Sequence, residues 1–145
     1  MAELTTGSTE IDAAPDAVMR VLTDFGAYPE WAGVKTAEVR ATDATGRPSE
    51  VAMTISQMGF EAAYTLAYDY APDDGGFSWT TKEATGVVKH VRGSYVLQPD
   101  GQRTNVTYEL ALELTISLPG FLKRQAEKQV ISMALEGLKQ RVEGT

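Results

Sequence analysis

Apolar residues recur at every second position through most of the stretch from Val34 to Ile116, and at every fourth from Leu122 to Val142. The period changes as the chain passes Pro119-Gly120. A period of two places alternate side chains on opposite faces of a strand, whereas steps of four line up along one face of a helix. Ala62, Tyr64, Leu66, Tyr68 and Tyr70 alternate with Ala63, Thr65, Ala67 and Asp69; Phe77 and Trp79 then stand against Ser78 and Thr80. Val106, Tyr108, Leu110, Leu112, Leu114 and Ile116 alternate with Thr107, Glu109, Ala111, Glu113 and Thr115, a face that should meet water. Gly46-Arg47-Pro48, Pro72-Asp73-Asp74-Gly75-Gly76 and Pro99-Asp100-Gly101 read as the turns between these segments. The pattern predicts a meander of about six antiparallel strands.

Ahead of the meander, Thr5 to Ile11 reads as a strand, and Pro15 sits where a first-turn proline opens a helix from Asp16 to Leu22. Asp24 is placed to cap a second, shorter helix holding Phe25, Tyr28 and Trp31, with Pro29 near its start. Beyond Gly120, Leu122, Ala126, Val130, Ala134, Leu138 and Val142 form the apolar stripe of a long terminal helix. Lys123, Arg124, Glu127, Lys128, Glu136, Lys139, Arg141 and Glu143 fall on its other side, read as a solvated face. The expected class is α+β: two short helices after strand 1, then a curved antiparallel sheet of about six to seven strands around a long C-terminal helix. A twisted sheet of that size curls. A helix of about 24 residues, about 36 Å long at 1.5 Å per residue, lies across the concave face without filling it, so a cavity is expected between the two.

The length of 145 residues suits one domain, 1–145, with no repeat, linker or low-complexity tract. With 13 basic and 20 acidic side chains the net charge is −7, which disfavours nucleic acid and anionic surfaces as partners. The absence of cysteine excludes disulfides, thiolate nucleophiles and iron–sulfur clusters, and one histidine excludes a multi-histidine site, so neither metal nor other cofactor is expected. No apolar run reaches the roughly 18 residues of a membrane span, and the first residues, Met1-Ala2-Glu3, carry an acid where a secretion signal wants bases. The expected location is the cytoplasm, as monomer or dimer.

The inward positions of this scheme supply the candidate site. Tyr64, Tyr68, Trp79, Tyr95 and Tyr108 pair an apolar body with one hydrogen-bonding tip, as a mostly apolar pocket needs to orient a ligand with few oxygens. Either these tips bond one another and water, or something polar shares their space. Met53, Ile55, Met58, Leu66, Leu110 and Leu112 from the strands, and Ala126, Val130 and Met133 from the helix, would complete the wall; Trp31 would stand at its mouth. His90 and Arg92 fall opposite the apolar parity of Val91, Gly93, Tyr95 and Leu97, although a bulge at Gly86-Val87-Val88 would invert them. Glu61, Asp69, Glu109 and Glu113 lie on polar faces, and no inward acid pair is visible.

Ile11-Asp12-Ala13-Ala14-Pro15, the run Val21 to Trp31, Gly93-Ser94-Tyr95-Val96-Leu97-Gln98-Pro99, Arg103 to Glu109 and Leu118 to Arg124 together resemble the START-like SRPBCC superfamily. The likeness is specifically to its bacterial polyketide cyclase/dehydrase and lipid-transport or coenzyme-Q-binding group. The resemblance implies a helix-grip fold with a hydrophobic tunnel under the terminal helix, and functions that range over carriers, sensors, cyclases and chaperones. The first reading is a binding protein for a hydrophobic small molecule such as a lipid, an isoprenoid quinone or an aromatic polyketide. The second is an aromatase/cyclase, which needs an inward group of suitable pKa; tyrosines, with an ordinary pKa near 10, are the only candidates placed there. The third is a protein-interaction module without ligand. The residues favour binding over catalysis.

Overall fold

The computed structural model describes residues 4–57 and 60–144; Met58, expected in the cavity wall, and Met1-Ala2-Glu3 lie outside them. The elements run β1 (Thr5–Ile11), α1 (Pro15–Leu22), a 3-10 turn (Phe25–Ala27), α2 (Tyr28–Trp31), β2 (Thr36–Thr42), β3 (Pro48–Gln57), β4 (Phe60–Tyr70), β5 (Gly76–Gly86), β6 (Val88–Asp100), β7 (Arg103–Leu114) and α3 (Gly120–Glu143). The seven strands form one curved antiparallel sheet in the order β1-β7-β6-β5-β4-β3-β2. The meander therefore runs from β2 to β7, and β1 closes on β7 with Thr5 opposite Leu110 and Ile11 opposite Thr104. Because β1 and β2 are the two edges, the α1–α2 segment that joins them must cross the sheet, and it walls one end of the concave face.

Local chemistry explains the connections. Pro15 opens α1 in the first turn, where a missing N–H loses nothing, and Val18, Met19 and Leu22 form its buried face. The turn before β5 carries both Asp73 and Asp74 at φ 57°, a left-handed pair that aspartate tolerates better than most residues. Pro99 lies inside β6, so the last hairpin is tighter than the turn cluster implied: Asp100 pairs directly with Arg103. Asp24 does not cap the following turn with its side chain; its backbone carbonyl accepts from Ala27 N–H instead.

α3 packs along β1 and β7, burying Ile131, Ala134, Leu135, Leu138 and Val142. The expected solvated face needs one correction: Glu127 is 3% exposed. Its Oε1 accepts from Thr5 Oγ1 at 2.6 Å and its Oε2 from Leu112 N–H at 2.8 Å. Leu112 lies two residues beyond the start of the β1–β7 pairing, so the carboxylate occupies the place of a strand neighbour and satisfies an N–H that the edge would leave open. Further along the same edge, Lys139 Nζ donates to Glu10 O, and Asp12 N–H donates to Glu143 Oε2 at 2.9 Å. The helix thus covers the β1 edge with polar side chains as well as with apolar contact. At its start, Ile116, Leu118, Phe121 and Leu122 are exposed, Phe121 by 68%, an apolar patch that the period of four did not announce.

Candidate functional site

The concave face of the sheet and α3 enclose a cavity of about 190 Å³. Each strand contributes on its period of two: Met53 and Ile55 from β3; Tyr64, Leu66 and Tyr68 from β4; Phe77 and Trp79 from β5; Tyr108, Leu110, Leu112 and Leu114 from β7. Val88, Val91 and Tyr95 of β6 keep their place in the wall through a bulge. Val88 stands opposite Leu114 and His90 opposite Glu113, so one extra residue, Lys89, is absorbed between them. Val88 and Val91, three apart, both point inward as a result, while neither His90 nor Arg92 is part of the lining. The bulge thus falls at Lys89 rather than at Gly86-Val87-Val88, and it does not bring His90 or Arg92 into the lining.

Of the fifteen residues expected in the wall and at its mouth, fourteen are among the described residues; twelve of these surround the cavity and two do not, Trp31 and Ala126. Helix α3 presents Val130, Met133 and Ala134 to the cavity, little more than one turn, and Ala126 falls a turn short of it. Trp31 packs instead edge-on to Tyr28, ring centroids 4.8 Å apart, and against α3, where a Cβ on Gly137 would stand 2.4 Å from Trp31 O. Gly137 is thus glycine because helix and backbone touch there. The lining also includes Tyr28, Ala32, Gly33, Val34, Phe77, Val87, Val88, Val91, Leu114 and Ala134, which the candidate set lacked. Phe77, Val91 and Leu114 share the inward parity, and Ala134 the helical stripe, so those four carried a signal; the loop residues Ala32 to Val34 carried none.

Aromatic rings form a continuous wall. Tyr68 meets Phe77 edge-on at 5.3 Å, Phe77 meets Trp79 at 5.9 Å, and Trp79 meets Tyr108 edge-on at 5.6 Å. Tyr95 and Tyr108 stand 4.5 Å apart at 61°. Such tilted and edge-on contacts suit ring quadrupoles and fix the rings relative to one another. Gly93 lets the Trp79 indole lie against β6, since a Cβ there would come within 2.8 Å of Trp79 Cζ2 and 2.3 Å of Glu109 O. At the rim, Val130 and Met133 are partly exposed, and Gly33, at φ 78°, meets Met133 so closely that a Cβ would be 2.7 Å from its sulfur. The cavity's mouth therefore lies between this loop and α3.

The polar content of the cavity is phenolic, apart from the indole N–H of Trp79, which is buried without a hydrogen-bond partner. Tyr28 Oη donates to Leu22 O, and Tyr70 Oη to Pro48 O at 2.7 Å, the latter ring lying outside the cavity. The hydroxyls of Tyr64, Tyr68, Tyr95 and Tyr108 hydrogen-bond to no protein group among the described residues. Burial pushes the Tyr64 phenol up to about 12, and it pushes Tyr28, Tyr68, Tyr95 and Tyr108 well above the ordinary tyrosine value. All five are therefore neutral at pH 7 and act as hydrogen-bonding groups, not as anions. No charged side chain lines the cavity among the described residues. Nor do three or more His, Asp or Glu side chains gather anywhere among them as metal ligands would.

A seven-stranded sheet gripping one long helix over an apolar cavity is the architecture of START-type domains. The family described as polyketide cyclase / dehydrase and lipid transport matches residues 3–143. The chain belongs to that family. No curated protein matches it. Among solved structures, a START superfamily protein from Mycobacterium smegmatis is similar at a TM-score of 0.89, with 20% identity over 97% of each chain. The Zhui aromatase/cyclase from a Streptomyces species is similar at 0.78, with 16% identity over 99% of this chain and 94% of that one. A STAR-related lipid transfer protein from Xanthomonas axonopodis is similar at 0.71, with 23% identity over 95% and 84%. At these identities the likeness is one of fold. No helix among the described residues is long and apolar enough to cross a membrane.

Proposed function

We propose that this protein binds a hydrophobic small molecule in the cavity under α3, as a carrier or sensor, without transforming it. The observation that carries the reading is the make-up of the wall: apolar and aromatic side chains with a few neutral hydroxyls, which is the usual composition of a ligand pocket. A cyclase reading draws support from the fold shared with the Streptomyces aromatase/cyclase and from the inward tyrosines. Proton transfer in such a reaction works best with a group whose pKa lies near the operating pH. The tyrosines are moved the other way, which weakens them as acids, and no charged side chain among the described residues lines the cavity beside them. Binding is accordingly preferred, and we place the protein in the cytoplasm, where a chain without cysteine has no disulfide to lose.

Native mass spectrometry of protein from its own host, followed by organic extraction, tests the proposal. A retained hydrophobic molecule, absent from a folded Leu66→Trp variant whose indole intrudes on the cavity, is the expected result. Protein that is empty, and that leaves a panel of neutral fluorescent hydrophobic probes unbound, would overturn it.

A further inference from the structure

The cavity is selective in charge, in size and in hydrogen bonding, and the three together narrow what it holds. An ionised carboxylate or phosphate placed among these side chains would lose its hydration and find no cation to replace it, which strongly disfavours the charged form. The volume of about 190 Å³ is only somewhat larger than the roughly 150 Å³ apolar cavity that takes one benzene ring. A long acyl or isoprenoid chain would overfill it and have to extend out through the mouth. Tyr95 and Tyr108 are 5% and 7% exposed, yet neither hydroxyl has a protein partner among the described residues. Each phenol offers one donor and an acceptor, so a ligand oxygen beside them can accept from one and donate to the other. Further along β6 and β7, the side chains of Val88, Leu112 and Leu114 offer only hydrocarbon. Trp79, opposite Gly93, stands between them and Tyr95, while Phe77 pairs with Tyr95 itself.

Resting on the reading of the cavity as a binding site, we infer that its ligand is a neutral, compact ring compound of about one to two fused rings carrying hydroxyl or keto oxygen. A charged amphiphile or a long-chain lipid is the wrong class. The polar edge of the ligand lies at Tyr95 and Tyr108, and its hydrocarbon edge points towards Leu112 and Leu114.

Isothermal titration calorimetry at neutral pH with four probes tests this: 2-naphthol, naphthalene, 2-naphthoate and dodecanoate. The expected order puts 2-naphthol first, naphthalene roughly tenfold weaker for want of the hydrogen bond, and the two anions weaker still. Tyr95→Phe and Tyr108→Phe, which keep the ring and remove the hydroxyl, should each weaken 2-naphthol several-fold, by about 3 to 10 times, and leave naphthalene unchanged. Equal binding of 2-naphthol and naphthalene overturns the role of the hydroxyls. Preferred binding of either anion overturns the ligand class while leaving the cavity as a binding site. Failure of all four, naphthalene included, removes the binding reading itself and this inference with it.

Discussion

At Glu127 a single carboxylate satisfies two donors inside an otherwise apolar seam, the Thr5 hydroxyl and the Leu112 N–H. Removing it strands both, and a buried donor without a partner is destabilising by about 1 to 3 kcal/mol. Glu127→Ala should therefore lower the unfolding free energy in urea by about 2 to 4 kcal/mol, whereas Glu127→Gln, which keeps one acceptor oxygen, should lose clearly less. If the alanine variant lost no more than an exposed Glu136→Ala control, the bridge would contribute nothing. Gly93 makes a second residue-scale case, because a methyl group there meets a backbone carbonyl and the Trp79 ring at once. Gly93→Ala should destabilise by about 1 to 3 kcal/mol and alter the tryptophan emission, since the indole has to move. An unchanged spectrum would mean that the ring has room to spare.

Helix α3 divides along its length into a gripping half and a rim. Leu138 is fully buried, and Leu138→Ala should cost about 2 to 5 kcal/mol through lost contact and the void left behind. Met133, 40% exposed at the mouth, should lose less than about 1 kcal/mol on truncation to alanine, and ligand exchange through the widened mouth should quicken. Stopped-flow release of a bound fluorescent probe checks the second effect; an unchanged rate would place the passage elsewhere. Strand β6 divides in the same way. Its main-chain pairing with β5 runs only from Gly76–Val96 to Trp79–Gly93. Beyond that, Thr81 Oγ1 takes over, accepting from Val91 N–H and donating to Val91 O, each at 2.7 Å. The sheet stays closed there through a side chain rather than a ladder.

The whole molecule responds to pH through its buried phenols. Folded-state values lie above the ordinary tyrosine value near 10 for Tyr28, Tyr64, Tyr68, Tyr95 and Tyr108, mainly through burial. A group raised in this way contributes its stability in full below the unfolded pKa and loses it as pH rises towards the folded one. Tm should therefore hold up to about pH 10 and fall steeply above it, and Tyr95→Phe should flatten that alkaline slope. Thermal unfolding across the pH series decides; a slope that Tyr95→Phe leaves intact would put the alkaline loss on other groups.

Periodicity along the chain was enough to determine the strands, the two helical regions and most of the wall, because alternation reports which side of a curved sheet a residue faces. Tyr64, Leu66, Tyr68, Trp79 and Tyr108 line the cavity for that reason. Composition was enough to remove thiol and multi-histidine chemistry. Glu127 looked like one more charge on a polar helix face, since nothing local says that β1 stops short of Leu112 and leaves an N–H to satisfy. Trp31, read as a mouth residue, packs on α3 because Gly137 lets the two backbones meet, a contact across more than a hundred residues. Ala126 has the right helical phase, but phase says nothing about where along its axis a helix passes the cavity. The size of the cavity and the open hydroxyls of Tyr95 and Tyr108 likewise depend on how far α3 sinks into the sheet. Local pattern determined which way each side chain points; only the packing of distant elements decided what it meets.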